Sequence, residues 1–547
     1  MKRSRFLYAI IIVVVLLNIM APSSKAEYVY QYEPEAWQLY RLGLFAGASA
    51  HTFKPDLGAP LTRQIGVTLL LNFFGKKAEV EAMTPSEVSQ FLSKYKDQAE
   101  IAQWARPYMA YAVKTGVVVG TSIDTISPNN VLDGCSFVAL VLRQLGYTVD
   151  RANFPRSLEL LSKTGGISIS EAELFNKTHL IKNDGIGIMY TVLFANCADG
   201  LTVIEKFINS GYIPVDKAVA YKLVSYTGPE SIEVTPGRPD LYDQVYYEIY
   251  EALADYETHI KLPETQYTDS PQKVFRLIEL CLLENPDLLY YSGCIYFSDG
   301  TVKLQYRKDP SDGIRHRNAL RQKIGEIVRN VVTPGMTDYE KELVLHDYLV
   351  GNCKYDRSVY DMSDVPWESF SAYGALCLGT AVCEGYAKAM KLLLNRAGIE
   401  CHIVTGESNG ENHAWNIVKI DGETYHLDAT YNDPVLPDGK DTARYHYFNL
   451  TDNEMEIDHK WDKTLYPSCN STRYNFYVYN SLTVSDTNEL IRRAMEEVNA
   501  GNTKLTFRIE NPENFDYLSV AREVCNRLQR SCSVAYNNEL GIVDLNF

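Results

Sequence analysis

The chain has 547 residues, 53 of them Lys or Arg and 69 Asp or Glu, for a formal net charge of −16 at pH 7. A balance this acidic, with no run of basic residues, argues against a nucleic-acid binder or a ligand of anionic membranes. The length predicts several domains, and the lack of a C-x-x-C pair, a Walker loop or a G-x-G-x-x-G turn predicts neither a metal nor a nucleotide cofactor.

Residues 1–26 read as a secretory signal. Lys2, Arg3 and Arg5 precede an apolar run from Phe6 to Met20, and Ser24-Lys25-Ala26 offers a small-x-small cleavage site. The run is shorter than the roughly 20 residues of a spanning helix, so no membrane segment is expected after cleavage. Cleavage removes four basic residues and no acidic one, which takes the formal charge from −16 to −20.

Residues 27–211 repeat a helix–loop–helix pattern. The first copy starts at Ala36, the second at Gln98, and a more divergent third runs from Ser157 through Thr178 to Phe194. Repeats of this size stack to share one core. They resemble S-layer homology repeats through Gly43-Leu44-Phe45, Gly47, Phe53, Pro55 and Leu61-Thr62-Arg63. That resemblance implies a mostly α-helical unit of three repeats that docks on the cell-wall polysaccharide of Gram-positive bacteria, with Thr62 and Arg63 as the glycan-contacting pair. An Arg can grip an acidic saccharide group through two parallel hydrogen bonds. Only the first copy keeps the pair. Leu132-Asp133-Gly134 and Leu180-Ile181-Lys182 stand in its place in the other two.

Residues 212–325 predict a small α/β module of helix 243–256, strand 258–262, helix 271–284 and strands 288–297 and 301–306. The tail, residues 481–547, repeats that order with helix 486–499, strand 503–509, helix 516–530 and strands 531–537 and 541–547. These modules bracket residues 326–480 and carry no chemistry of their own.

The bracketed segment does. Ala387, Met390, Leu393 and Leu394 recur at helical spacing after Cys383, and Gly398 stops the helix. A thiol at a helix N-terminus faces unpaired N–H groups and the positive end of the dipole, which favour the nucleophilic thiolate. Downstream, His413 to Ile417 alternate as a strand, turn at Asp421-Gly422 and return through Tyr425 to Asp428. A two-residue turn pairs Ile420 with Glu423, places His413 opposite Thr430 and sets Asp428 on the diagonal, within reach of the imidazole. A carboxylate there fixes the ring tautomer.

The runs G-x-x-x-C-x-G-Y-A (379–387), H-A-W-N (413–416) and L-D-A-T (427–430) together resemble the transglutaminase-like superfamily, its secreted bacterial branch in particular. The segments 338–356 and 447–461 look like flanks of the same branch. The resemblance implies a papain-like α+β domain in which Cys383 is the nucleophile, His413 the general base and acid, and Asp428 the orienter. The implied chemistry is acyl transfer, deamidation or hydrolysis at protein or peptide amides. Trp415 and Tyr386 are expected to line the substrate pocket, Trp415 as a shield against water. A non-catalytic envelope-binding protein on the same fold is the alternative.

Cys377 is a second thiol in the region, but no helix starts there. His346 and Asp347 on an amphipathic helix suit a structural role, and His402 and His426 lack so clear an acidic partner. Eleven cysteines leave ten to pair if Cys383 stays free, and their spacing fits a disulfide framework and a reduced set alike.

Overall fold

Three helices, Arg63–Phe73, Gly134–Gln144 and Lys182–Val192, form the centre of the N-terminal region in a computed structural model. The structure describes residues 30–46, 55–228, 231–359, 365–434, 444–512 and 515–547. The expected secretory signal, and Gly47 and Phe53 of the first repeat, lie outside them. Each central helix places apolar side chains four, seven and eight residues after its first: Val67, Leu70 and Leu71; Val138, Val141 and Leu142; Ile186, Met189 and Tyr190. All nine are buried, as one face of a helix against a shared core should be. The leucines two residues before each helix close a ring. Leu61 N–H donates to the Leu180 carbonyl at 2.9 Å, Leu132 to Leu61 at 2.9 Å and Leu180 to Leu132 at 2.8 Å.

The positions after that ring face inward, which corrects the expectation for Arg63. Its helix start is covered by the second repeat, with Arg63 N–H donating to the Asn130 carbonyl and Gln64 N–H to that of Pro128. Arg63 is only 7% exposed, and its Nη2 donates to the Val119 carbonyl at 2.8 Å. Thr62 Oγ1 and Arg63 Nε are buried without a partner among the described residues. At Gly134 a Cβ would lie 2.0 Å from the Phe175 carbonyl oxygen, so no side chain fits where the first copy has Arg. Lys182 is paired with Asp56 at 2.9 Å.

The intermediate module has helices Leu241–Ala254 and Pro271–Glu284 beside an antiparallel sheet ordered His259–Lys261, Thr301–Tyr306, Tyr291–Tyr296. The C-terminal module has helices Thr487–Asn499 and Tyr517–Leu528 and the same strand order, Lys504–Ile509, Ile542–Asn546, Ser533–Asn537. It adds a short parallel strand, Thr483–Val484. Buried apolar residues run without a break from the repeats into the intermediate module, whereas the C-terminal module has its own core.

Between the modules, helices Pro310–Val331 and Asp338–Asn352 precede helix α1, Cys383–Arg396. Helix α1 lies on a five-stranded antiparallel sheet: β1 (Cys401–Ser408), β2 (Glu411–Ile420), β3 (Glu423–Leu427), β4 (Phe448–Leu450) and β5 (His459–Trp461). Their spatial order is β4-β3-β2-β1-β5. Tyr386, Ala389, Met390 and Leu393 of α1 share a buried core with Cys401 of β1 and Val418 of β2. Among the described residues, no helix is long and apolar enough to cross a membrane.

Candidate active site

Helix α1 begins at Cys383, and its N-cap, Val382, offers the first turn no side-chain acceptor. The half-buried thiol therefore sits beside backbone N–H groups that have no intrahelical partner. The first turn lies directly on the segment Trp367–Phe370. A Cβ on Gly385 would come within 2.6 Å of the Ser369 carbonyl oxygen, which explains the glycine two residues after the cysteine.

Asp421 and Gly422 both have positive φ, 49° and 83°, and this turn pairs Ile420 with Glu423. The ladder runs back only to Asn416 opposite Leu427. There the chain bends away: Asp428 N–H donates to the Tyr447 carbonyl at 2.9 Å, so Thr430 does not come opposite His413 as expected. The bend leaves Asp428 Oδ1 accepting from the N–H groups of Thr430 (2.9 Å) and Tyr431 (3.1 Å). Its Oδ2 lies 2.7 Å from His413 Nε2, and the Cys383 side chain is near enough to the same ring to raise its pKa. Cys383, His413 and Asp428 are thus brought together.

Burial disfavours a charged His413, but the Asp428 carboxylate and the bonds to Asp428 and Cys383 outweigh it and raise the imidazole pKa to about 11. Burial likewise opposes ionisation of Asp428, yet the His413 charge and the hydrogen bonds from His413 and His459 hold its carboxyl far below the usual carboxylate range. Cys377 contrasts with this arrangement. It lies in the π-turn Gly374–Leu378, where burial pushes its thiol up to about 11.

Asn416, the last residue of the H-A-W-N run, ties sheet to helix. Its Nδ2 donates to the Ala387 carbonyl of α1 at 3.0 Å and to the His402 carbonyl at 3.3 Å. Asn416→Ala removes both of these hydrogen bonds. We expect a loss of about 1–3 kcal/mol in denaturant unfolding and slower alkylation of Cys383, since α1 is no longer pinned to the strand bearing His413.

Two expected pocket residues are placed elsewhere. Trp415 is 1% exposed, and its Nε1 donates to His426 Nδ1 at 3.0 Å, so it supports the sheet beneath His413 and shields no pocket mouth. Tyr386 is fully buried, with its hydroxyl on Asp433 Oδ2 at 2.5 Å. Tyr386 faces the core that α1 shares with Val418 of β2, whereas Trp415 lies on the other face of β2, in a separate buried cluster with Val404 and Ile417. His346 is buried against Asn432 and Asp347, and His402 is exposed beside Glu400.

Sequence reasoning missed the residues behind the triad. His459 of β5 places Nε2 3.2 Å from Asp428 Oδ2 and Nδ1 2.5 Å from Asp458 Oδ1. His426 has an acidic partner after all, Asp452, at 2.9 Å. The one available signal was the alternation of His459 and Trp461 in Asp458-His459-Lys460-Trp461, which puts both on one strand face. Among the described residues, His413/Asp428/His459 and His426/Asp452/Cys469 have metal-ligating side chains in proximity. In the second set His426 Nδ1 accepts from Trp415, so its proton is on Nε2 and points at Asp452, which leaves no lone pair for a metal.

Residues 325–429, which include Cys383, His413 and Asp428, match the family model of the transglutaminase-like superfamily, and residues 94–134 match that of the S-layer homology domain. No curated protein matches the chain. One similar solved structure is a TGase, 15% identical, with a TM-score of 0.20 over 26% of this chain and 37% of that one. Another is a Cytophaga hutchinsonii protein provisionally assigned as a cysteine protease, 18% identical, with a TM-score of 0.17 over 23% of this chain and 42% of that one. The chain spans less than half the length of either. It joins a segment similar to the transglutaminase-like superfamily to one similar to the S-layer homology domain, a domain of cell-surface association.

Proposed function

We propose that the chain is an exported, envelope-associated cysteine enzyme acting on protein or peptide amides through a thioester. In this reading Cys383 is the nucleophile, His413 the general base and acid, and Asp428 the orienting carboxylate. The observation that carries it is the imidazole of His413, bonded to a buried carboxylate 2.7 Å away and set beside a thiol at a helix start.

The Cys383 thiolate attacks the amide carbon, and the carbonyl oxygen becomes an oxyanion facing the N–H groups that open α1. His413 gives its proton to the amide nitrogen, the C–N bond breaks, and ammonia or an amine leaves. Water or an amine then attacks the thioester, loses a proton to His413, and the thiolate is expelled. Asp428 keeps a proton on Nε2 throughout, so Nδ1 is the atom that exchanges it.

The test is the pH dependence of iodoacetamide alkylation at each cysteine, read by peptide mapping. We expect Cys383 to label faster than Cys377 at pH 6, and His413→Ala to slow it about tenfold or more. Labelling of Cys383 no faster than that of Cys377 would overturn the reading. For envelope association, the full chain should co-sediment with purified Gram-positive wall polysaccharide. Failure to do so would leave the repeats as scaffold.

A further inference from the structure

We propose that His459 is a positioning residue for this site. With Asp458 it holds Asp428 in a line, Asp458–His459–Asp428–His413–Cys383, along which anionic and cationic groups alternate, and it thereby sets the pH range in which Cys383 reacts. The inference rests on the reading of Cys383 and His413 as the reacting pair.

Both ring nitrogens of His459 face carboxylates, Nδ1 at 2.5 Å from Asp458 and Nε2 at 3.2 Å from Asp428. A neutral imidazole has one N–H and one lone pair, so it would turn that lone pair on one of the two anions. Only the imidazolium donates to both. The ring is fully buried, as is Asp428, so water cannot relieve a mismatch. Asp458 is itself fixed, its second oxygen accepting from the Tyr447 hydroxyl at 2.5 Å. Burial opposes charging of His459, but the bonds to Asp428 and Asp458 prevail and raise its pKa above the ordinary value.

Other groups around the ring bear on its charge. His413 lies 5.3 Å away by ring centroids, Tyr431 5.1 Å, Tyr447 5.7 Å and Trp415 4.9 Å, and His426 also feels the His459 charge. Asp458 and Asp428 put two negative charges behind His413, and the His459 imidazolium offsets one. It also shares Asp428 Oδ2 with His413, so each cation weakens the hold of that oxygen on the other. Removing the charge leaves two carboxylates behind one imidazolium, which raises the proton affinity of His413 and of the thiol beyond it.

The measurement is the pH profile of Cys383 alkylation in the full chain, for the wild type, His459→Gln and Asp458→Asn, with tryptophan fluorescence reporting the fold. Asp458→Asn keeps the ring and removes the outer anion, so His459 loses its charge in place. Because the lost cation stands nearer His413 than the lost anion, the field at His413 still turns more negative. This variant decides the matter alone if His459→Gln does not fold. Both variants are expected to label about threefold or more slowly on the acid limb, their profiles displaced to higher pH. A folded Asp458→Asn variant with an unmoved profile overturns the inference while leaving Cys383 as the nucleophile. A wild-type Cys383 that fails to outpace Cys377 removes the underlying reading and this inference with it.

Discussion

Asp428→Asn should lower amide turnover at Cys383 by about 10⁴-fold, the scale on which an orienting carboxylate acts in a nucleophile–His–Asp triad. The carboxylate accepts on both sides: Oδ1 takes two backbone N–H groups, and Oδ2 takes His413 and His459. An Asn amide has one oxygen. Whichever way it is turned, an NH₂ group confronts donors, either the two backbone N–H groups or the two rings. His413 then loses the partner that keeps its proton on Nε2, and its pKa falls from about 11 toward the ordinary value. Alkylation of Cys383 at pH 6 should slow about ten- to hundredfold, the worth of one lost charge-assisted hydrogen bond. Turnover unchanged within tenfold would mean that His413 is oriented by something else.

The same pair makes a pH-dependent contribution to stability. His413 has a raised pKa in the fold, so its share is fully present below about pH 6.5 and is lost as pH rises toward about 11. Asp428 has a depressed pKa, so its share is present above about pH 4 and is lost as pH falls through its folded value. Both are in force near neutrality, where Asp428→Asn should also unfold at lower denaturant concentration than the wild type.

What could be read in advance follows the range of the interactions. A helix start at Cys383 and an Asp-Gly turn are local patterns, and both stand in the structure. Helices and strands of the two flanking modules also lie where periodicity places them, usually a residue or more shorter at the ends. Burial of Trp415 and Tyr386 was not legible, because an aromatic on a strand or helix near a reactive thiol looks alike whether it faces a cleft or the core. His459 reaches Asp428 only because β5, the last of the five strands of this sheet in sequence, pairs with β1 at the sheet edge, His459 opposite Ser408. Strand order is a property of the whole sheet, and no local pattern encodes it. Gly134 teaches the same lesson from the other side. Its missing side chain reads as the loss of a binding residue, whereas the Phe175 carbonyl simply occupies the space.

Glu342→Gln should stabilise the protein by roughly 3 kcal/mol at pH 7 and leave it nearly unchanged at pH 4.5. Glu342 is fully buried on helix Asp338–Asn352, and burial raises its pKa to about 8 against a weaker opposing bond from Asn449 Nδ2 at 2.8 Å. An acid with a raised pKa gives its full stability below the unfolded value near 4.5 and loses it as pH climbs toward 8, because the fold must hold a proton that the unfolded chain has released. Glu342 Oε1 and Asn449 Oδ1 are both buried without partners among the described residues, so a protonated carboxyl can donate back to the amide oxygen. Gln reproduces that neutral, donating form at every pH: its amide oxygen accepts from Asn449, and its NH₂ faces the unpaired Oδ1. Denaturant unfolding followed by tryptophan fluorescence should therefore show wild-type stability declining between about pH 4.5 and 8, with that decline reduced in the variant. Equal slopes in the two proteins would mean that Glu342 titrates normally and that water or a cation reaches it in solution.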